Sequence, residues 1–135
     1  MKSFKYLFLL IIALTIAVAS CSKKDEATKS KKELLTAHQW KLSSSKTNGV
    51  ADVISDCEKD DITTFSSNGT YTWNITTVKC YASETNDTGT WTLSSDETIF
   101  TVDGTVVTIV ELSGSKLVVS TNDAGDTWEQ TFIAF

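Results

Sequence analysis

The 135-residue chain contains no proline and no arginine, one histidine, one methionine and three cysteines. Without proline, no segment is barred from pairing as a β-strand on both of its edges. Without arginine, the chain lacks the planar, bidentate donor that suits phosphate groups and base edges. All twelve cations are lysines, and seven of them fall before residue 33. From Thr36 onward five lysines face fourteen acidic residues, a surplus of nine negative charges. Such a domain is excluded from nucleic-acid binding, whose affinity rests on neutralising phosphates. The single histidine, His38, has Ser43, Ser44 and Ser45 close by in sequence, but these lack the glycine-flanked elbow of a serine hydrolase. No catalytic constellation and no cofactor motif stands out, so the expectation is a protein that is not an enzyme.

Long apolar runs are scarce as well. One covers residues 7–19 (LFLLIIALTIAVA), thirteen residues against the ~20 needed to cross a bilayer as a helix. Lys2 and Lys5 precede it and Val18-Ala19-Ser20-Cys21 closes it. A charged start, a short apolar stretch and small residues at its end are the parts of an export leader, residues 1–20. Val-Ala-Ser-Cys resembles the bacterial lipobox, which implies that Cys21 is acylated and ties the protein to a membrane. Several acyl chains, at about 0.8 kcal/mol per buried methylene, make a lasting anchor. The expected location is therefore the cell envelope, at the outer membrane. Residues 21–30 read as the lipidated cysteine and a solvated polar tether. Within it Lys24-Asp25-Glu26 resembles the lysine-plus-acidic signal that carries some Bacteroidota lipoproteins to the cell surface.

Residues 31–135 read as one domain. Ser30 and Glu33 stand in capping-box spacing ahead of Leu34-Leu35, which predicts one short helix. The rest reads as β-structure: runs rich in Thr, Val, Ile and aromatics, separated by turn signals every ~8–12 residues. Strands are expected at residues 39–45, 61–66, 70–77, 89–94, 98–102, 105–112, 116–121 and 127–135. Asn68-Gly69, Asp103-Gly104, Ser113-Gly114 and Ala124-Gly125-Asp126 punctuate them, and Asp-Gly favours the hairpin type I′ turn. Alternation groups Tyr71, Trp73 and Ile75 on one face, Trp91 and Leu93 on another, and Val106, Thr108, Val110 and Leu112 on a third. In the last strand it groups Trp128, Gln130, Phe132 and Ala134. One apolar face per strand implies one enclosed interior, and eight hairpin-linked strands can close into an up-and-down barrel.

Three stretches carry a family resemblance. They are Leu34-Leu35 with Trp40-Lys41-Leu42, then Cys57-Glu58-Lys59-Asp60-Asp61 leading to Phe65 and Asn68-Gly69-Thr70-Tyr71, then Gly89-Thr90-Trp91-Thr92-Leu93. Together they resemble the lipocalin-like lipoprotein domains of Bacteroidota. The resemblance implies an eight-stranded antiparallel barrel behind a short N-terminal helix. Lipocalins carry Gly-x-Trp on their first strand; here the tryptophan is kept as His38-Gln39-Trp40.

Exported proteins meet an oxidising compartment, so Cys57 and Cys80 are expected to form a disulfide. A two-residue Asn68-Gly69 turn would pair residues whose numbers total 137, as do 57 and 80. A three-residue loop would shift the register by one and still leave them within bridging distance. The acidic run Asp56, Glu58, Asp60 and Asp61, with Asp52 nearby, is a weak candidate for calcium, lacking the EF-hand spacing. Trp40, Tyr71, Trp73, Trp91, Trp128 and Phe132 either fill the interior or wall a ligand cavity. The leading expectation is a barrel holding a small apolar or amphipathic ligand. The alternative is a ligand-free interaction module: an inhibitor, an adhesin or an accessory subunit of an envelope complex.

Overall fold

Four backbone donors at the start of a helix need partners, and here sequence and tertiary structure share the task. In the computed structural model, which describes residues 28–135, helix α1 spans Lys31–Thr36. The leader, Cys21 and residues 22–27 lie outside the described residues. The Ser30 hydroxyl accepts from the Glu33 amide at 3.1 Å, and the Glu33 carboxylate accepts from the Ser30 amide at 2.7 Å. That is the expected capping box. The two remaining donors, the Lys31 and Lys32 amides, bond to the Glu97 carboxylate at 2.8 and 3.2 Å. Glu97 has a positive φ of 55° and sits in a turn that Asp96 fastens by accepting from Ser94 and Thr98.

These bonds give a pH-dependent link between helix and barrel. The Lys31 and Lys32 amides hold the Glu97 carboxyl below its ordinary value of 4.5. A depressed carboxyl contributes stability that is complete above the ordinary value and fades as pH falls through the folded one. Glu97→Gln keeps one acceptor and turns an N–H₂ toward a backbone donor. The variant should therefore melt below the unaltered protein at neutral pH, and the two melting curves should converge as pH falls through the lowered folded value of the Glu97 carboxyl. Equal melting temperatures at neutral pH would remove Glu97 from the helix cap.

After α1 the chain forms β1 (Gln39–Thr47), β2 (Val50–Ala51), helix α2 (Asp56–Asp60), β3 (Ile62–Phe65), β4 (Thr70–Asn74) and β5 (Asp87–Leu93). It continues with β6 (Phe100–Val102), β7 (Thr105–Leu112), β8 (Lys116–Asp123) and β9 (Asp126–Ala134). Strands β3 to β9 pair each with the next, all antiparallel; β1 pairs with both β3 and β9, which closes the sheet. β2 is a two-residue return against the end of β1 after the Asn48-Gly49 turn, so eight strands form the closed barrel. Closure leaves no strand edge open along the barrel wall.

Register decides which side chains meet inside. At Asp103-Gly104 the hairpin pairs Val102 with Thr105 and Phe100 with Val107. Phe100 is buried, so Val107 and then Ile109 turn inward, while Val106 and Val110 are exposed. The expected inward set of Val106, Thr108 and Val110 is thus reversed. Leu112 still joins the core because β7 bulges between Ile109 and Glu111, which flips the alternation. A second bulge, between Leu42 and Ser44 on β1, does the same there. Phe65, Trp91 and Phe100 meet edge to face, with centroids 5.7 to 6.1 Å apart. Such tilted contacts suit the quadrupoles of aromatic rings.

Strand β4 ends at Asn74 rather than at residue 77. The Thr77 and Val78 amides do not enter the sheet; both donate to the Asp60 carboxylate at 3.0 Å. Ile75, expected on the strand, lies past its end, its amide bonded to Asn86.

Candidate ligand cavity

α1 and the 66–69, 94–99 and 113–115 connections lie at one end of the barrel; α2, the 75–86 segment and the 103–104 turn lie at the other. At the helix end Leu35 and Trp40 are fully buried. The Trp40 indole N–H donates to the Leu35 carbonyl at 3.0 Å, satisfying an acceptor left over at the end of α1. The helix is thereby fixed as a plug.

Above the plug the interior is not filled. An inner compartment of about 170 Å³ is walled by Trp40, Phe65, Tyr71, Phe100, Leu117 and Phe132, among others. An outer compartment of about 270 Å³ lies toward α2 and is walled by Leu42, Trp73, Glu58 and Asp61. Thr63, Gln130 and Phe132 line both, and Gln130 is solvent-exposed. Each compartment alone is smaller than the ~300 Å³ at which ordinary ligand sites begin. They adjoin along a common wall, with the inner one mainly apolar and the outer one more polar.

Of the six aromatic residues expected to fill or wall the interior, four wall these compartments: Trp40, Tyr71 and Phe132 the inner, Trp73 and again Phe132 the outer. Trp91 is buried against Phe65 and Phe100 and lines neither. Its N–H bonds the Ser66 and Thr70 carbonyls and so holds the β3–β4 hairpin. Trp128 is 43% exposed at the start of β9 and also lines neither. It falls on the inward alternation, but at the open end, beyond the aromatic core.

Tyr71 is held in place through Gly89, its partner across β4 and β5. A Cβ on Gly89 would lie 2.5 Å from the Tyr71 ring and 2.4 Å from the Asp103 carboxylate. The missing side chain lets the Tyr71 hydroxyl reach Asp103, which also accepts from the Thr90 amide. Donating to that carboxylate pushes the Tyr71 pKa up to about 12. Tyr71 therefore stays a neutral phenol across the physiological range.

The acidic run does not assemble as a calcium site. Asp56 pairs with Lys59 at 3.7 Å. Glu58 accepts from the Ser55 amide and hydroxyl, and that hydroxyl bond chiefly lowers its pKa. Burial pushes Asp60 up, but bonds from the Thr76 hydroxyl and the Thr77 and Val78 amides, with the charge of Lys41, leave it lowered. Asp52 accepts from Ser45 and Thr47. Among the described residues no three His, Cys, Asp or Glu side chains are grouped to hold a metal ion.

Asp61 differs from its neighbours. It is 5% exposed, and neither carboxylate oxygen has a hydrogen-bond partner. Burial, and then the charges of Glu84, Asp60 and Glu58, raise its pKa; the Thr76 amide opposes the shift without reaching hydrogen-bonding geometry.

Cys57, on α2, is bonded to Cys80, in the 75–86 segment, with Cα atoms 5.3 Å apart. The bridge lies outside the β3–β4 ladder. That ladder pairs Phe65 with Tyr71 around a three-residue loop with Gly69 at φ 87°, one step from the two-residue register.

A closed antiparallel barrel, plugged at one end by a short helix beneath a first-strand tryptophan and open at the other, defines a lipocalin-like binding fold. Residues 36–119 match the lipocalin-like domain, and the chain belongs to that family. No curated protein matches the chain.

Proposed function

We propose that the protein is a lipid-anchored envelope lipoprotein, of the Bacteroidota kind its sequence resembles, whose barrel holds a small apolar or amphipathic ligand. The observation that carries the reading is the pair of adjoining interior compartments, an aromatic one above the plug and a more polar one toward α2. The leader-like residues 1–20 and the lipobox-like Val18-Ala19-Ser20-Cys21 support the envelope location, with Cys21 as the membrane anchor. On this reading the protein works by binding, and its one histidine, His38, serves the plug by packing edge-on against Trp40, 5.9 Å between ring centroids.

Native mass spectrometry on the protein taken from its own envelope tests the ligand. A reproducible extra mass that leaves on unfolding is expected; a clean apo mass would overturn the carrier reading. The anchor has a separate test, because Cys21→Ala should release the protein from the membrane fraction. The interaction module remains the second reading, favoured by the small inner compartment and by Val106 and Val110 exposed on the outer face of β7.

A further inference from the structure

We propose that the inner compartment selects a small neutral ring compound carrying one hydroxyl group, which the Gln130 side chain recognises. The inference rests on the carrier reading above and names the ligand class.

The size and lining of the compartment set the body of the ligand. No charged side chain lines it, its volume is about 170 Å³, and Trp40, Phe65, Tyr71, Phe100 and Phe132 supply aromatic rings to its wall. An apolar cavity of ~150 Å³ takes one benzene molecule, so this one suits a single six-membered ring with a short substituent. Aromatic walls favour a ring over an alkyl chain of equal volume, because ring edges and faces attract one another.

The polar groups in the wall decide what the substituent can be. The Trp40 N–H is spent on the Leu35 carbonyl and the Tyr71 hydroxyl on Asp103. Thr63 and Gln130 remain, and among the described residues neither side chain is hydrogen-bonded to another residue. Register fixes where Gln130 points. It pairs with Val119, which packs against the core, and shares the alternation of Phe132, so its side chain faces inward; yet it is exposed. An inward amide without a protein partner offers a ligand both a donor and an acceptor.

Charged substituents have no counterpart here. No lysine lines either compartment, so a carboxylate would be buried without a cation. An ammonium group fares no better. Asp61 contributes to the outer wall, but both its carboxylate oxygens are buried out of reach, and Glu58 is committed to Ser55. A hydroxyl is the smallest neutral group that can donate to and accept from the Gln130 amide at once, which matters in so small a space.

The test uses the purified full-length protein and four probes with one ring and nearly one shape: benzyl alcohol, ethylbenzene, benzylamine and benzoate. Binding is followed by the amide resonances of β8 and β9, and free probe is corrected for uptake by detergent in protein-free blanks. At about pH 7 the amine and the acid are both charged. Benzyl alcohol should bind roughly tenfold or more tighter than either. Gln130→Leu should weaken the alcohol roughly fivefold or more, the loss of a hydrogen bond, and leave ethylbenzene unchanged or tighter. Should that variant fail to fold, Gln130→Met, unbranched like the native side chain, gives the same comparison. An equal effect of the substitution on alcohol and ethylbenzene, or a charged probe binding as tightly as the alcohol, would overturn the inference and leave the carrier reading standing. Binding of none of the four would overturn the carrier reading itself.

Discussion

Replacing Trp40 with alanine should destabilise the domain by about 3–5 kcal/mol, the range for deleting a fully buried large aromatic. Three contributions act together. The indole is 0% exposed, so its whole apolar surface returns to water in the unfolded state only. Its N–H holds the Leu35 carbonyl, an acceptor at the end of α1 that would be left unsatisfied. Its ring also walls the inner compartment, so truncation enlarges an existing void rather than letting neighbours collapse. Urea unfolding followed by far-ultraviolet circular dichroism measures the loss. Trp128→Ala is the internal control: an exposed tryptophan outside the core should cost about 0.5 kcal/mol or less. If the two variants lost similar stability, Trp40 would not be the keystone of the plug.

The contrast between these two tryptophans shows what the sequence could and could not disclose. Trp40 follows a capped helix and begins a strand, and both features are local. Trp128 shares the alternation of Gln130 and Phe132, so periodicity alone places it inside. Its exposure follows from the length of β9, which runs past the aromatic core to the open end. β7 makes the same point about faces. Its range, Thr105–Leu112, is as expected, yet both of its faces are rich in Val and Ile. Alternation cannot choose between two apolar faces; the choice falls to the Asp103-Gly104 hairpin, which aligns Val107 with Phe100. The bulge at Val110 then restores Leu112 to the interior, and no composition signal marks a bulge.

The candidate site was legible to a similar depth. Aromatic content pointed to Trp40, Tyr71, Trp73 and Phe132, but Thr63 and Gln130, which line both compartments, look like ordinary strand polar residues. The acidic run was visible, whereas the roles of its members were not. Asp60 and Asp61 are adjacent, yet one caps a loop with three hydrogen bonds and the other has none. That difference is set by the 75–86 segment, whose path depends on a long-range covalent link.

Removing that link should have the second large effect. Replacing both Cys57 and Cys80 with alanine is expected to cost about 3 kcal/mol on the chain-entropy model, given their separation of 23 residues. The bridge stabilises chiefly by restricting the unfolded chain, so the unbridged protein should unfold at lower urea and with a steeper slope, its denatured state being more open. A second, local effect follows from where the bridge sits. Beyond it, the 75–86 segment is fastened to the end of α2 by the Asp60 bonds to Thr76, Thr77 and Val78, while the Ile75–Asn86 bond ties the segment's own two ends together. Glu84 adds only internal ties, to Cys80 and Lys79. Hydrogen exchange at Thr77 and Val78 should therefore quicken far more than exchange in β8 and β9, whose long ladder does not involve the bridge. Uniform acceleration across the barrel would show that the bridge acts on global stability alone. Selective acceleration would show that it also holds α2 over the open end, where Glu58 of that helix walls the outer compartment.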